Sequence, residues 1–393
     1  MPAFHIFNPG HETAVLLGTR SYTPPSNVSC MTKDLSYLPL WYADTDDLVY
    51  VENADHVFLE SYPKELAKRP SLFNSAKEYT EEYNATPWGI SPHILHYLKT
   101  AVRGKAIKLD IPEWNTGYKT LTSRQSTIKC HQLLNEQLPE LHLPFAPEQA
   151  ESVEAIESLM AEKELPIVLK APFSSSGRGV LWIREPQLTR SEQNWIKGVI
   201  QKQGFISLEK GLNKTMDFAM EFYSDGKGEV RYEGLSLFNT GEKGAYTGNR
   251  LAAQTVLEEK ITSVIGKEEL KKVCRAVTET LQTVYSHTYK GYLGVDMILY
   301  EQNNQNRIHP CIEVNMRFTM GLVALRLFEY YLHPEADGNF YVTFDKEPGA
   351  ALKQHLALEK NYPLIIREQR IRQGYLSLCP VSEHTNYRVY LIV

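Results

Sequence analysis

Gly294-Val295-Asp296-Met297 and, beyond a turn, Cys311-Ile312-Glu313-Val314-Asn315-Met316-Arg317 decide how this chain is read. Both stretches read as strands. Side chains alternate along a strand, so Glu313 and Asn315 share a face. Between the two lies Asn303-Asn304-Gln305-Asn306, dense in turn formers. With Asn304-Gln305 as a two-residue hairpin loop, Asp296 falls opposite Glu313. Asn315 then falls opposite Gly294, which has no side chain and leaves room. A lone acidic residue on a strand is ordinarily a solvated surface charge. Here Val295, Met297, Ile312 and Val314 are apolar neighbours, and two carboxylates in register repel unless a cation lies between them. Oxygen ligands without Cys or His suit Mg²⁺ or Mn²⁺, which keep several waters and share phosphate oxygens. The spacing therefore points to a metal–phosphate site on Asp296, Glu313 and Asn315.

A phosphate partner for that site is sought upstream. Leu165-Pro166-Ile167-Val168-Leu169-Lys170 reads as a strand with a lysine near its end. The Gly-containing Ser174-Ser175-Ser176-Gly177-Arg178-Gly179 follows, then the strand Val180-Leu181-Trp182-Ile183. Lysine supplies a point charge and a glycine turn supplies free N–H donors for phosphate oxygens. Neither GxxxxGK[ST] nor GxGxxG occurs. Taken alone, the Ser/Gly segment is an ordinary hairpin tip; its weight comes from preceding the acidic hairpin.

The rest of the chain sets the frame. It has 393 residues, 42 Lys+Arg against 47 Asp+Glu and a net charge of −5; 42% of residues are apolar and 11% aromatic. That length suggests two or three domains or lobes with ample cores. The slight acidity argues against a sequence-independent nucleic-acid binder. No run approaches the roughly 20 apolar residues of a membrane span. The N-terminus lacks a charged leader with a long apolar stretch. Cys30, Cys130, Cys274, Cys311 and Cys379 form no CxxC pair, so neither a disulfide framework nor a zinc ribbon is expected, and a reducing cytoplasm is the simplest setting.

Along the chain, Phe4–Phe7, Leu48–Glu52 and His56–Leu59 read as strands. Ser91-Pro92 opens a helix, and Ser123 caps another from Arg124 to Glu136. Val153–Lys163 fits a helix. Asp217–Tyr223 and Glu229–Phe238 form a hairpin, and Glu268–Tyr285 is a strongly amphipathic helix. Beyond about 338, short strands and turns alternate.

The order of these features resembles the ATP-grasp superfamily over roughly residues 120–335. The matching segments are Val168–Lys170, Ser174–Gly179, Ile206-Ser207-Leu208-Glu209-Lys210, Gly294–Asp296 and Ile312–Arg317. The resemblance implies an α+β ATP-grasp fold, two lobes enclosing ATP, preceded by an N-terminal α/β pre-ATP-grasp domain. The implied division is 1–120, 121–205 for the first lobe with its lid hairpin, 206–335 for the second lobe with its metal site, and 336–393 as a strand-rich extension of the second lobe. It assigns Lys170, with Arg124 or Lys129 on the preceding helix, to ATP phosphates. Ser176, Gly177 and Gly179 would fold over them. Glu209, Lys210 and Leu212 would meet the adenine, and Asp217 the ribose. Asp296, Glu313 and Asn315 would hold Mg²⁺ (or Mn²⁺), and Arg317 would stabilise the γ-phosphate or an acylphosphate.

The activity this implies is ATP- and Mg-dependent ligation, with a small carboxylate activated as an acylphosphate for attack by an amine or thiol. A small-molecule kinase and a non-catalytic nucleotide-binding regulator are the alternatives. Arg231 and Arg250, between the adenine strand and the metal hairpin, stand as candidate carboxylate grips, since Arg binds a carboxylate through two parallel bonds. His11 and Glu12 follow the first strand and are candidates to face substrate. His93, His96 and His309 lack a zinc pattern. Relatives of this type are often dimers, so a homodimer is admitted.

Overall fold

The computed structural model describes residues 1–66, 71–174, 179–241 and 245–393. Ala3–Ile6, Leu48–Val49, Ser71–Leu72, Glu82–Pro87 and Lys108–Asp110 form an all-parallel sheet in the order 71–72, 48–49, 3–6, 82–87, 108–110. Parallel pairing needs crossovers between neighbouring strands. One of them contains a departure from the sequence reading. His56–Ser61 is a helix, because Asp55 caps it, its carboxylate accepting from the Phe58 N–H at 3.0 Å.

A second, antiparallel sheet holds Glu148–Ala150, Ile206–Lys210, Ile167–Lys170 and Val180–Ile183, in that order. Helices Val153–Ala161 and Arg190–Gln203 cover it. The first is capped by Ser152 and the second by a reciprocal Thr189–Glu192 capping box. Ile156, Ile167, Leu169, Ile183, Ile196, Ile206 and Leu208 make a core of their own.

The third sheet has eight strands, in the order Gln305–Asn315, Lys290–Gln302, Asn213–Asp225, Val230–Thr240, Tyr246–Leu251, Gly338–Phe344, Tyr387–Ile392, Tyr375–Ser377. Every pairing along it is antiparallel. Helix Lys267–Val284 buries Leu270, Val273, Val277 and Leu281 along one face. The C-terminal strands extend this sheet, but a helix at Ala350–Asn361 interrupts the expected strand–turn alternation.

Two cores join the N-terminal sheet to the large one. Phe4, Ile94 and Leu98 cluster with Phe218, Phe222 and Val277. Phe7, Trp41 and Trp88 cluster with Phe318, Leu327 and Phe340. These two regions are one packed body, on which the 148–210 lobe sits as a separately cored unit. Helix Arg124–Gln137, which the sequence reading grouped with that lobe, sends Cys130 and Leu134 into the large body's core. Its Gln137 Nε2 donates to Thr280 at 3.2 Å.

Candidate active site

A cleft of about 1260 Å³ runs between the small lobe, the concave face of the large sheet and the N-terminal domain. The acidic hairpin lines its floor. Asp296 pairs with Glu313 and Gly294 with Asn315, as the sequence reading placed them. The route to that register differs. Gln302 pairs with Gln305, so the turn residues are Asn303 and Asn304, both at positive φ, as a tight hairpin turn requires. Between the pairs Ile298–His309 and Asp296–Glu313 the second strand gains two residues over the first. The irregularity falls beside Pro310, which has no N–H to give to a ladder. Two departures from the simple hairpin cancel, and the carboxylates meet.

Burial and the neighbouring Glu313 carboxylate push Asp296 up to about 7. Two carboxyl groups whose joint ionisation is this unfavourable, with an asparagine alongside, fit a hard divalent cation. Arg124 closes the far side. Only 5% exposed, it meets Glu313 Oε2 at 3.0 Å through Nη2 and donates from Nη1 to the Ile312 carbonyl at 3.2 Å. Its Nε is buried without a partner. Ser123 caps this helix by accepting from the Gln125 N–H at 3.2 Å, and the Arg124 N–H reaches the Pro172 carbonyl at 3.1 Å. The guanidinium therefore sits where the two lobes meet.

Across the cleft, antiparallel pairing sets Val168 against Glu209 and Lys170 against Ser207. Lys170 and Glu209 are each 8% exposed and ion-paired, and Ser207 donates to the other Glu209 oxygen at 3.1 Å. Burial opposes ionisation of Glu209, yet Lys170 and Arg124 outweigh it and hold the carboxyl below its usual range. Lys210, Leu212 and Asp217 also line the cleft. Lys210 turns its ammonium to the Glu164 carbonyl at 3.0 Å, and Asp217 accepts from Thr240 at 2.9 Å.

Arg317 lies two residues past the end of the Gln305–Asn315 strand. Its Nε donates to Glu12 at 2.7 Å, Nη1 to the Phe318 carbonyl at 3.0 Å and Nη2 to Asn315 Oδ1 at 3.0 Å. Burial raises the Glu12 carboxyl, but Arg317 and His11 overcome this and hold it low. Glu12 stands in the helix after the first strand, so the N-terminal domain reaches into the site. His11, beside it, does not line the cleft; burial pushes it down to about 4 and Ile90 supplies its carbonyl partner at 3.1 Å.

Three sequence expectations need correction. Lys129 is exposed on the helix that carries Arg124 and lines no part of the cleft. Arg231 lies on the surface, bound to Glu233 at 2.7 Å. Arg250 follows the cleft-facing Asn249, so strand alternation turns it outward, where it pairs with Asp337 at 2.6 Å. Of the lid residues, Ser176 and Gly177 lie outside the described residues. Gly179 packs against Ser174, where a Cβ would come within 2.3 Å of the serine Cβ.

Glu221 escaped the sequence reading. It lines the cleft at 2% exposure, and both its oxygens accept from hydroxyls, Thr319 at 2.8 Å and Ser236 at 3.3 Å. Burial pushes it up to about 8 against those donors. The available signal was an acidic residue inside the apolar run Phe218-Ala219-Met220-Glu221-Phe222. Among the described residues no group of three or more His, Cys, Asp or Glu forms a separate metal cluster, and no helix is long and apolar enough to cross a membrane.

No protein-family model matches the chain, and no curated protein matches its sequence. Solved structures do match in fold. A biotin carboxylase–βγ-ATP complex from Campylobacter jejuni aligns with 100% of this chain and 87% of its own, at 12% identity and a TM-score of 0.51. N5-carboxyaminoimidazole synthetase from Staphylococcus aureus, complexed with ADP, aligns over 100% and 93% at 11% identity and a TM-score of 0.47. The biotin carboxylase domain dimer of Hydrogenobacter thermophilus 2-oxoglutarate carboxylase aligns over 100% and 86% at 12% identity and 0.49. With the small antiparallel lobe, the large sheet and the cleft between them, the first of these likenesses gives this chain the ATP-grasp fold.

Proposed function

We propose that the protein is an ATP- and Mg²⁺-dependent ligase that activates a small carboxylate as an acylphosphate and joins it to an amine. The observation that carries this reading is the in-register Asp296–Glu313 pair with Asn315, facing the buried Lys170–Glu209 pair across one cleft. The likeness to a biotin carboxylase that binds a nucleotide in its solved complex supports it.

Each residue's task follows from its place. Lys170 offers a positive charge to phosphate oxygens, and its ion pair with Glu209 aims it. Glu209, Lys210, Leu212 and Asp217 line the cleft, where the first three would meet the adenine and Asp217 the ribose. Asp296, Glu313 and Asn315 would hold Mg²⁺, which neutralises phosphate charge when bound. Arg124 spans from Glu313 toward the small lobe and keeps a buried N–H free for an anion. Arg317, locked by Glu12, orients Asn315 and adds positive potential beside the metal ligands. Phosphoryl transfer asks little covalent chemistry of a protein, so positioning and charge neutralisation supply most of the rate. The separately cored small lobe can close over the cleft and exclude water from an acylphosphate.

Hydroxylamine trapping across a panel of carboxylic acids tests the chemistry. The expected result is an acyl hydroxamate, ADP and phosphate from at least one acid, dependent on Mg²⁺. Failure of Mg²⁺ and an ATP analogue to raise the melting temperature would overturn the reading at the nucleotide step.

A further inference from the structure

The cleft continues past the metal ligands toward the N-terminal domain, and its character changes there. The wall becomes apolar, with Val28, Met31, Trp88, Met320 and Phe344. Among the described lining residues of this end the only cation is Arg317, and each of its nitrogens already has a partner in the chain. Set into this wall is Glu221. The sheet pairs it with Gly294, beside Asp296 on the metal strand. Its partners are the two hydroxyls and no cation.

Space has been cleared around that carboxylate. A Cβ at Gly321 would lie 2.1 Å from Glu221 Oε1, and one at Gly294 would lie 3.0 Å from Oε2. The nearby Asn249 is 1% exposed and lines the same cleft. Tyr246 donates to its Oδ1, and its Nδ2 has no partner. A buried carboxyl group with no cation in contact and a buried amide N–H without an acceptor are both costly unless a ligand completes them.

We infer that this end of the cleft is the nucleophile subsite, that it takes a primary amine on an apolar, non-phosphorylated body, and that Glu221 receives the ammonium group. This rests on the ligase reading above and extends it to the acceptor. The ammonium pairs with the ionised form of Glu221 and gives it one proton. The freed nitrogen lone pair attacks the acyl carbon, the C–N bond forms, and the C–O bond to the phosphoryl group breaks, releasing phosphate. A surplus N–H proton leaves with solvent. The hydroxyls of Thr319 and Ser236 hold the carboxylate in place before and after the transfer.

The test uses the full chain, saturated with Mg²⁺ and a non-hydrolysable ATP analogue, and titrates phenethylamine, phenethyl alcohol and phenylacetate by calorimetry. The expected result is at least tenfold tighter binding of the amine than of the alcohol, with the acid weakest. Glu221→Gln should bring amine and alcohol within about twofold, and Glu221→Asp, which keeps the charge, should restore part of the preference. The nucleotide-induced thermal shift of each variant, read on the same samples, reports that it has folded. Equal binding of amine and alcohol by the parent protein, or an amine preference that survives in Glu221→Gln, would overturn the inference while leaving the ligase reading intact. Absence of any nucleotide shift in the parent would instead strike the ligase reading.

Discussion

At the residue scale, the site is built from charges that would be unstable alone. Asp296 and Glu313 lie side by side, so removing either should remove the cation that reconciles them. Glu313→Ala is expected to weaken Mg²⁺ binding at least tenfold, read as loss of the Mg²⁺-dependent part of the nucleotide thermal shift. An unchanged shift would mean that the metal lies elsewhere. The Glu12–Arg317 pair is of another kind. Glu12 is buried, and the Arg317 side chain keeps only 18% of its surface exposed, toward the cleft. Breaking a buried pair from one side typically costs about 3–5 kcal/mol. Glu12→Gln should therefore lower the urea midpoint clearly. A loss under about 1 kcal/mol would show that Asn315 and the Phe318 carbonyl suffice for Arg317. Asp296, Glu313 and Arg317 were legible as candidates, as residue types in a pattern. Glu221 was not, because one carboxylate in an apolar run says nothing about whether a hydroxyl, a cation or water awaits it.

At the scale of elements, the 148–210 lobe carries its own core while the other two sheets share theirs. Leu208 is fully buried at the centre of the lobe sheet. Leu208→Ala should cost about 2–5 kcal/mol. Because the lobe is separately cored, the loss should appear as faster amide exchange confined to 148–210, with the 213–251 strands unaffected. Uniform acceleration over both would show one cooperative unit. Helices with clear caps were readable from sequence: Ser91 and Ser123 each cap where expected. The failures have a common cause. His56–Ser61 is too short for periodicity to separate helix from strand, and Ala350–Asn361 buries little besides Ala351, so it has no strong apolar stripe.

At the scale of the whole molecule, charge and closure are coupled. Asp296 is pushed up to about 7 and Glu221 to about 8, both by burial first. Their folded forms hold protons that the unfolded chain releases near pH 4. Their contribution to the stability of the free protein is thus fully present below that value and is lost as pH rises through about 7 and 8. As the proposed Mg²⁺ ligand, Asp296 must be ionised to bind the cation. Below pH 7 each unit of acidity should weaken Mg²⁺ binding up to about tenfold through this group. The stabilisation by Mg²⁺ with an ATP analogue should accordingly grow from pH 6 to pH 8, measured as the difference in melting temperature with and without ligand. A constant or falling difference would show that Asp296 is not the titrating ligand.

By itself the sequence determined which residues stand as candidates on the nucleotide side. Local alternation fixes which residues of a strand share a face, and Lys170, Asp296, Glu313 and Asn315 each sit in a strand segment whose pattern is complete within a few residues. Only the tertiary structure decided the rest. It brought Glu12 from the first helix to Arg317, 305 positions away. It turned Arg231 and Arg250 out of the cleft and left Glu221 facing into it without a cation. The register at the metal hairpin shows both levels at once, since the turn and the irregularity beside Pro310 deviate in opposite senses. The physical reason is range. Patterning is imposed by the backbone within one element, whereas a buried charge takes its meaning from partners that folding alone carries to it.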